Sequence, residues 1–384
     1  MTTPTISSNQ FRSIVIYTTC GTALLSLPTT LANIVSQDAW WIPLVSLLLG
    51  FPYVLLIILF GRWFPNDTFV IMLTRLFGTW FGKIAGVLFL LLPFLSAPHH
   101  LHFFTQFIMT HFFRDTPSII LTASFMAVVT VAVYRDIEVI GRASELTMFI
   151  FIFSVLLFSV FVIQDVDTSY LKPMFQNEPR TYVETILFMN SRIVAVHMII
   201  LLVLFPRNIQ DKRKAEHALI SGYIIACLLL FMTVFLSITI LGPELTKIQL
   251  YTGFKLGQRV EIAGIIERLE SFLYVIFFIT LFFKLAIYLY ATSFSFANII
   301  GIRNHEPLAI PFGILITVLS MTEFKSMIDD SDFYFLGSLY LIVPIVYVIP
   351  ALMLITGIIK RARAHQPIVP KHPSGATTRN HHDL

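Results

Sequence analysis

Chemistry in this chain has to come from a few polar residues set inside long apolar runs. Arg192, in Asn190-Ser191-Arg192, stands about ten residues from either end of the apolar stretch 182–206. At about 1.5 Å per residue a helix there places it roughly 15 Å from both ends, too deep to snorkel. An arginine so placed costs at least ~2.5 kcal/mol on membrane-insertion scales and faces a cavity or a partner. Its planar fork suits a bidentate clamp on a ligand carboxylate. A structural ion pair, with Glu184 two turns away on the same face, explains it equally well.

A second cluster, Thr18-Thr19-Cys20-Gly21-Thr22-Ala23 followed by Pro28, interrupts the apolar run 11–36 with small and hydroxyl residues. Unwinding there frees backbone N–H and C=O groups, which persist at membrane depth only where protein or a polar cavity satisfies them. The positive end of a half-helix would hold a ligand carboxylate. The alternative is that Gly21, Thr22 and Ala23 merely permit close helix packing.

His99 and His102 are three residues apart beside His100, just after Pro93 and Pro98, with Gln106 on the same face. No Cys or acid stands nearby to complete a metal site, so neutral histidines hydrogen-bonding around a kinked helix are expected, with His102 at the substrate site. Glu267, Arg268 and Glu270 lie at the expected start of a helix, where acids favour the dipole; their other reading is a gate or a subunit contact. Lys284, about four turns deeper, is expected near the inner face, snorkelling. No nucleophile elbow, phosphate loop, metalloprotease motif or dinucleotide fingerprint is present, which argues against an enzyme, a metal or a cofactor.

The elements that position these residues follow from composition. Of 384 residues 56% are hydrophobic and 12% charged, with 37 Phe, where soluble proteins run about 25% charged. One water-facing core cannot bury that surplus, so the solvent is lipid. Ten apolar windows, each near the roughly 20 residues a span needs, are expected at 11–36, 40–60, 83–112, 117–134, 143–163, 182–206, 215–241, 264–291, 307–323 and 335–359. The first reads as a retained span, since no small-residue cleavage site follows it. Cys20 and Cys227 both lie inside apolar runs, which excludes a disulfide framework. Segment 66–82 is amphipathic, with Phe69, Met72, Leu76, Phe77 and Trp80 at helical spacing, and is expected on the cytoplasmic membrane surface. Ile248 to Glu261 reads as a lid on the other side.

Lys and Arg number 16 in one set of loops and 7 in the opposite set, which puts both termini in the cytoplasm. Net charge is only +4 and gives no reason to expect nucleic acid. Ten spans divide into halves of about 11–163 and 182–359 that enter from opposite sides, an inverted 5+5 repeat within one domain, 1–359. Such repeats carry interrupted helices at matching positions, here helices 1 and 6. Residues 360–384 form a basic tail with the composition of a disordered segment.

The chain resembles the B subunits of spore germinant receptors, amino acid permease-like members of the amino acid–polyamine–organocation superfamily. The resembling residues are Gly21-Thr22-Ala23-Leu24-Leu25-Ser26-Leu27-Pro28, the exit Leu204-Phe205-Pro206 before a basic loop, and Ile266-Glu267-Arg268-Leu269-Glu270. Where the family often has a second glycine this chain has Ala23, and where it often has an acid in the second part of helix 6 this chain offers His197. The resemblance implies a LeuT-type fold in the spore inner membrane, working with an A subunit and a lipoprotein C subunit and sensing a small nutrient such as an amino acid. Thr19, Cys20, Gly21, Thr22, Ala23, Asn190, Ser191, Arg192 and His102 are the candidate substrate residues. A proton- or sodium-coupled amino acid transporter is the competing expectation.

Overall fold

The structure, a computed structural model, describes residues 4–259, 270–322 and 342–364. Among these residues it is all-helical, apart from one isolated bridge between Ile6 and Ile209. The first helix, α1 (Ser8–Cys20), starts earlier than the apolar run because Ser7 and Gln10 form a capping box. The Ser7 hydroxyl accepts the Gln10 N–H at 3.2 Å and the Gln10 side chain accepts the Ser7 N–H at 3.0 Å. The chain resumes as α2 (Ala23–Val35), turns through Ser36–Trp41 and runs on as α3 (Ile42–Trp63).

The amphipathic segment folds as α4 (Phe69–Phe77), but its apolar face is not spread on lipid. Phe69, Met72, Leu73 and Leu76 are buried, and α4 packs on α5 (Thr79–His111). Gly78, at φ 85°, makes the corner, and a Cβ on Gly82 would run into the Thr74 backbone, so the two helices close to backbone contact. Trp80, 83% exposed, is left facing outward. Pro93 and Pro98 both sit inside the 33-residue α5 without ending it.

Then follow α6 (Ser118–Tyr134), α7 (Ile137–Val162) and α8 (Pro179–Met189). After α8 the helix continues through a π-helical segment, Asn190–Ala195, into α9 (Val196–Leu201). The expected interruption of helix 6 thus appears as a widened turn rather than an unwound one, and helical geometry ends at Leu201 instead of Pro206. Beyond it the chain turns back and meets the N-terminal segment, where Ile6 N–H donates to Asn208 O at 2.8 Å and Asn208 Nδ2 to Pro4 O at 2.9 Å.

Asp211 caps α10 (Lys212–Leu241) by accepting the N–H groups of Arg213 and Lys214. The expected lid is two short helices, α11 (Pro243–Ile248) and α12 (Thr252–Arg259), the latter packed on α2. Long α13 (Glu270–Ile300) and α14 (Ala309–Thr322) follow. A π-helical turn, Pro344–Val348, leads into α15 (Ile349–Ala364).

Among the described residues, seven helical stretches are long and apolar enough to cross a membrane. One of them, Ser8–Trp63, is 56 residues, more than twice the roughly 20 residues of one span, and Ser118–Tyr134 and Glu306–Thr322 are shorter apolar helices. Leu48, Leu146, Phe149 and Val160 point outward, as a lipid-facing surface requires.

At one end, Asp38 is fully buried and ties the chain before α8 to the end of α2. Its Oδ2 accepts the Tyr182 hydroxyl at 2.5 Å and the Phe175 N–H at 2.9 Å. Asp38→Ala strands both donors and should lower stability by about 2–4 kcal/mol, read as an earlier thermal midpoint in detergent. A midpoint equal to wild type would mean that water replaces the carboxylate.

Candidate functional site

The Gly21 N–H closes α1 on Tyr17 O at 2.9 Å, and the N–H groups of Leu25 and Ser26 open α2 on Thr22 O at 3.1 and 3.2 Å. Between them Gly21 takes φ 27°, ψ −124°, a conformation that side chains disfavour. The break therefore presents two poles at one point: the terminal carbonyls of α1 and the first amides of α2. Thr22, at the N-cap position of α2, makes no side-chain cap; its hydroxyl lies 3.3 Å from His100 Nδ1. The buried hydroxyls of Thr18 and Thr19 have no hydrogen-bond partner among the described residues.

Across the break stands α13. Thr280 Oγ1 donates to Gly21 O at 3.4 Å. One turn on, the Lys284 stem fills the space where a Gly21 side chain would be, with Nζ 3.0 Å from the position of that Cβ. Lys284 is 1% exposed and does not snorkel. The expected helix 264–291 put it near the inner end, whereas α13 runs on to Ile300, more than four turns beyond Lys284. A buried ammonium needs compensating dipoles, and its Nζ lies beside the carbonyl end of α1 at Gly21. One further turn along α13, Tyr288 meets His100 edge-on at 5.4 Å and His197 at 6.2 Å, ring centre to ring centre. Thus α1, α2, α5, α9 and α13 converge, and Lys284, Thr280, His100 and Tyr288 join the site.

The other sequence candidates are distributed differently. Cys20 faces α10, its Sγ 3.9 Å from Ala226 O. Ala23 is the first residue of α2 and is buried. His102 turns from the break, its Nδ1 3.1 Å from Ser320 O of α14, so the histidine at Thr22 is His100. Two residues on a helix differ by about 200° in azimuth. Asn190 Nδ2 and Ser191 Oγ bond back to Ile186 O and Phe188 O of their own helix. Asn190 Oδ1 abuts Gly50 of α3, where a Cβ would collide with it.

Arg192 is buried at 7% exposure, and its guanidinium lies 5.9 Å from the Phe188 ring centre. Glu184, 60% exposed, is paired with Arg180 at 2.7 Å. Glu184→Gln is therefore expected to leave the thermal midpoint and the abundance of the protein unchanged, as exposed i,i+4 pairs contribute little. A marked fall would restore Glu184 as a partner of Arg192. Glu267 and Arg268 lie outside the described residues, and Glu270 opens α13.

A family model described as spore germination protein, of the spore permease type, matches residues 5–328. The chain belongs to the spore germination protein family. Two relatives from Bacillus subtilis (strain 168) accord with this. Spore germination protein KB is 25% identical over 364 residues, covering 93% of this chain and 96% of its own. Spore germination protein YndE is 22% identical over 340 residues, covering 87% and 91%. In three dimensions the chain resembles a Na+-coupled sialic acid symporter in its substrate-bound outward-open state, with a TM-score of 0.66 at 13% identity over 93% of this chain and 80% of that one. This family member is thus a multi-pass membrane protein with a transporter-type, LeuT-like fold. Neither its family nor its fold is that of an enzyme.

Proposed function

We propose that this chain is the nutrient-sensing membrane subunit of a spore germination receptor, binding a small ligand such as an amino acid at the break between α1 and α2. The observation that carries the reading is the Gly21–Thr22 break with Lys284 of α13 buried against it. The first amides of α2 and the Lys284 ammonium form a concentrated positive site for a carboxylate. A ligand bridging α2 and α13 shifts the equilibrium between arrangements of those helices. Partner subunits, a large A-type subunit and a lipoprotein C subunit, read that shift. The ten spans form the 5+5 inverted repeat, with both termini cytoplasmic in the spore inner membrane.

A second reading, proton- or sodium-coupled amino acid transport, is favoured by the same lysine, since a buried amine can exchange a proton, and by the likeness to a Na+-coupled symporter. Purified full-length protein in proteoliposomes separates the two. A sensor binds labelled amino acids saturably with no accumulation in the lumen, whether or not a pH or sodium gradient is imposed. Gradient-driven accumulation would replace the sensor reading by the transporter. Absence of saturable binding to any amino acid would overturn both.

A further inference from the structure

A groove of about 610 Å³ runs between α4, α5 and α15, away from the Gly21 site. Leu76, Phe77, Phe81, Leu88, Ile345 and Leu352 are among its mainly apolar lining. Its length has a meaning in a bilayer. Along the last helix the lining runs from Pro344 to Thr356, which at about 1.5 Å per residue is roughly 18 Å. A single leaflet contributes about 15 Å of hydrocarbon.

One end of the groove is basic. Arg75 directly precedes the lining residue Leu76, and Lys360 follows Thr356 by one turn. The two meet, with Lys360 Nζ donating to Arg75 O at 2.7 Å. Arg361, the next residue along α15, has its guanidinium 5.2 Å from the Trp63 ring centre. Asp67 is the acid paired here, 3.0 Å from Arg75, and it is buried while the Arg75 side chain is 63% exposed. Among the described residues, Arg75, Lys360 and Arg361 against the single carboxylate of Asp67 leave a positive rim at this end of the apolar groove.

We propose that this groove holds an acyl chain of an anionic phospholipid whose phosphate is bound by Arg75, Lys360 and Arg361. The apolar walls explain the chain, and the rim explains the preference for a negative headgroup over a zwitterionic one. The site tethers α15 to the α4–α5 corner through lipid as well as through the Lys360–Arg75 contact. It makes no use of the Gly21 break and stands or falls apart from the sensor reading.

The test is native mass spectrometry of the full chain with phosphatidylglycerol and phosphatidylcholine of identical acyl chains at equal concentration. Wild type should retain phosphatidylglycerol at least fivefold over phosphatidylcholine. In Lys360→Gln/Arg361→Gln, which leaves Arg75 and the Asp67 pair in place, the preference should fall below twofold. Thr356→Phe, which fills the groove at its basic end, should reduce retention of both lipids at least fivefold. Equal retention of the two lipids by wild type would overturn the proposal, as would a preference unaltered in Lys360→Gln/Arg361→Gln. Displacement of the bound phosphatidylglycerol by equimolar glycerol phosphate would also overturn it, because the site would then be one for free phosphate.

Discussion

Gly21→Leu is expected to abolish nutrient-triggered germination while leaving the protein inserted in the membrane. Two costs coincide at this position. The backbone, at φ 27°, ψ −124°, is one that an L side chain adopts only under strain, at about 1–3 kcal/mol. The Cβ would also occupy the volume of the Lys284 stem, so the lysine must leave the break or α1 and α2 must separate from α13. Either movement removes the paired poles that the ligand needs. Because Gly21 lies between two helices rather than inside one, each helix keeps its own hydrogen bonds and the spans still form. Gly21→Ala should give an intermediate result, with the dose response moved at least tenfold, about 1.4 kcal/mol. Immunoblotting of spore membranes together with the dose response checks both variants. A Gly21→Leu protein of normal abundance and normal response would remove the break from the ligand site.

Lys284→Met is expected to produce the second large effect. Methionine keeps an unbranched stem against Gly21 and deletes the charge. A buried cation with imperfect compensation is expensive, and replacing it by an apolar side chain of similar shape is commonly neutral or stabilising by about 1–4 kcal/mol. Thermal stability should therefore hold or rise. The ligand response should fall by at least a hundredfold, since a carboxylate would lose its full countercharge, worth about 3 kcal/mol or more in a partly desolvated site. The separation of stability from response is the diagnostic outcome. A variant that unfolds would show that Lys284 is a structural strut for the carbonyl end of α1. A variant with wild-type sensitivity would leave the amides of α2 as the whole anion site.

These two residues also show where sequence reasoning succeeds and where it stops. Hydropathy reports how much apolar surface a segment has, so an all-helical chain embedded in lipid could be expected before any contact was known. The interruption at Gly21–Thr22 was legible for a related reason. Small and hydroxyl residues are costly in the middle of a lipid-facing helix unless their backbone is used, and Pro28 follows. The family resemblance rested partly on the same stretch, Gly21 to Pro28, and the family match bears it out.

Depth and azimuth were the quantities that linear reading could not supply. Lys284 was displaced from the inner end because α13 runs on to Ile300, beyond the end of its apolar window at 291, and a boundary shift of two turns moves a residue by about 10 Å. His100 rather than His102 faces Thr22 because α5 is apolar on nearly every side. A helix without a polar face carries no mark of which side meets which neighbour.

The same degeneracy hid the π turn at Asn190–Ala195, whose side chains bond along their own helix and whose backbone packs against α3 and Pro344–Val348. It also hid the burial of Asp38, whose partners Phe175 and Tyr182 are far along the chain. Sequence by itself thus determined the solvent, the all-helical class and one interrupted helix, because each depends on composition within single segments, while the family followed from the resemblance at three separate motifs. Tertiary packing decided which charges meet at that interruption, because a helix's rotation and register among its neighbours are set by the steric fit of all of them together.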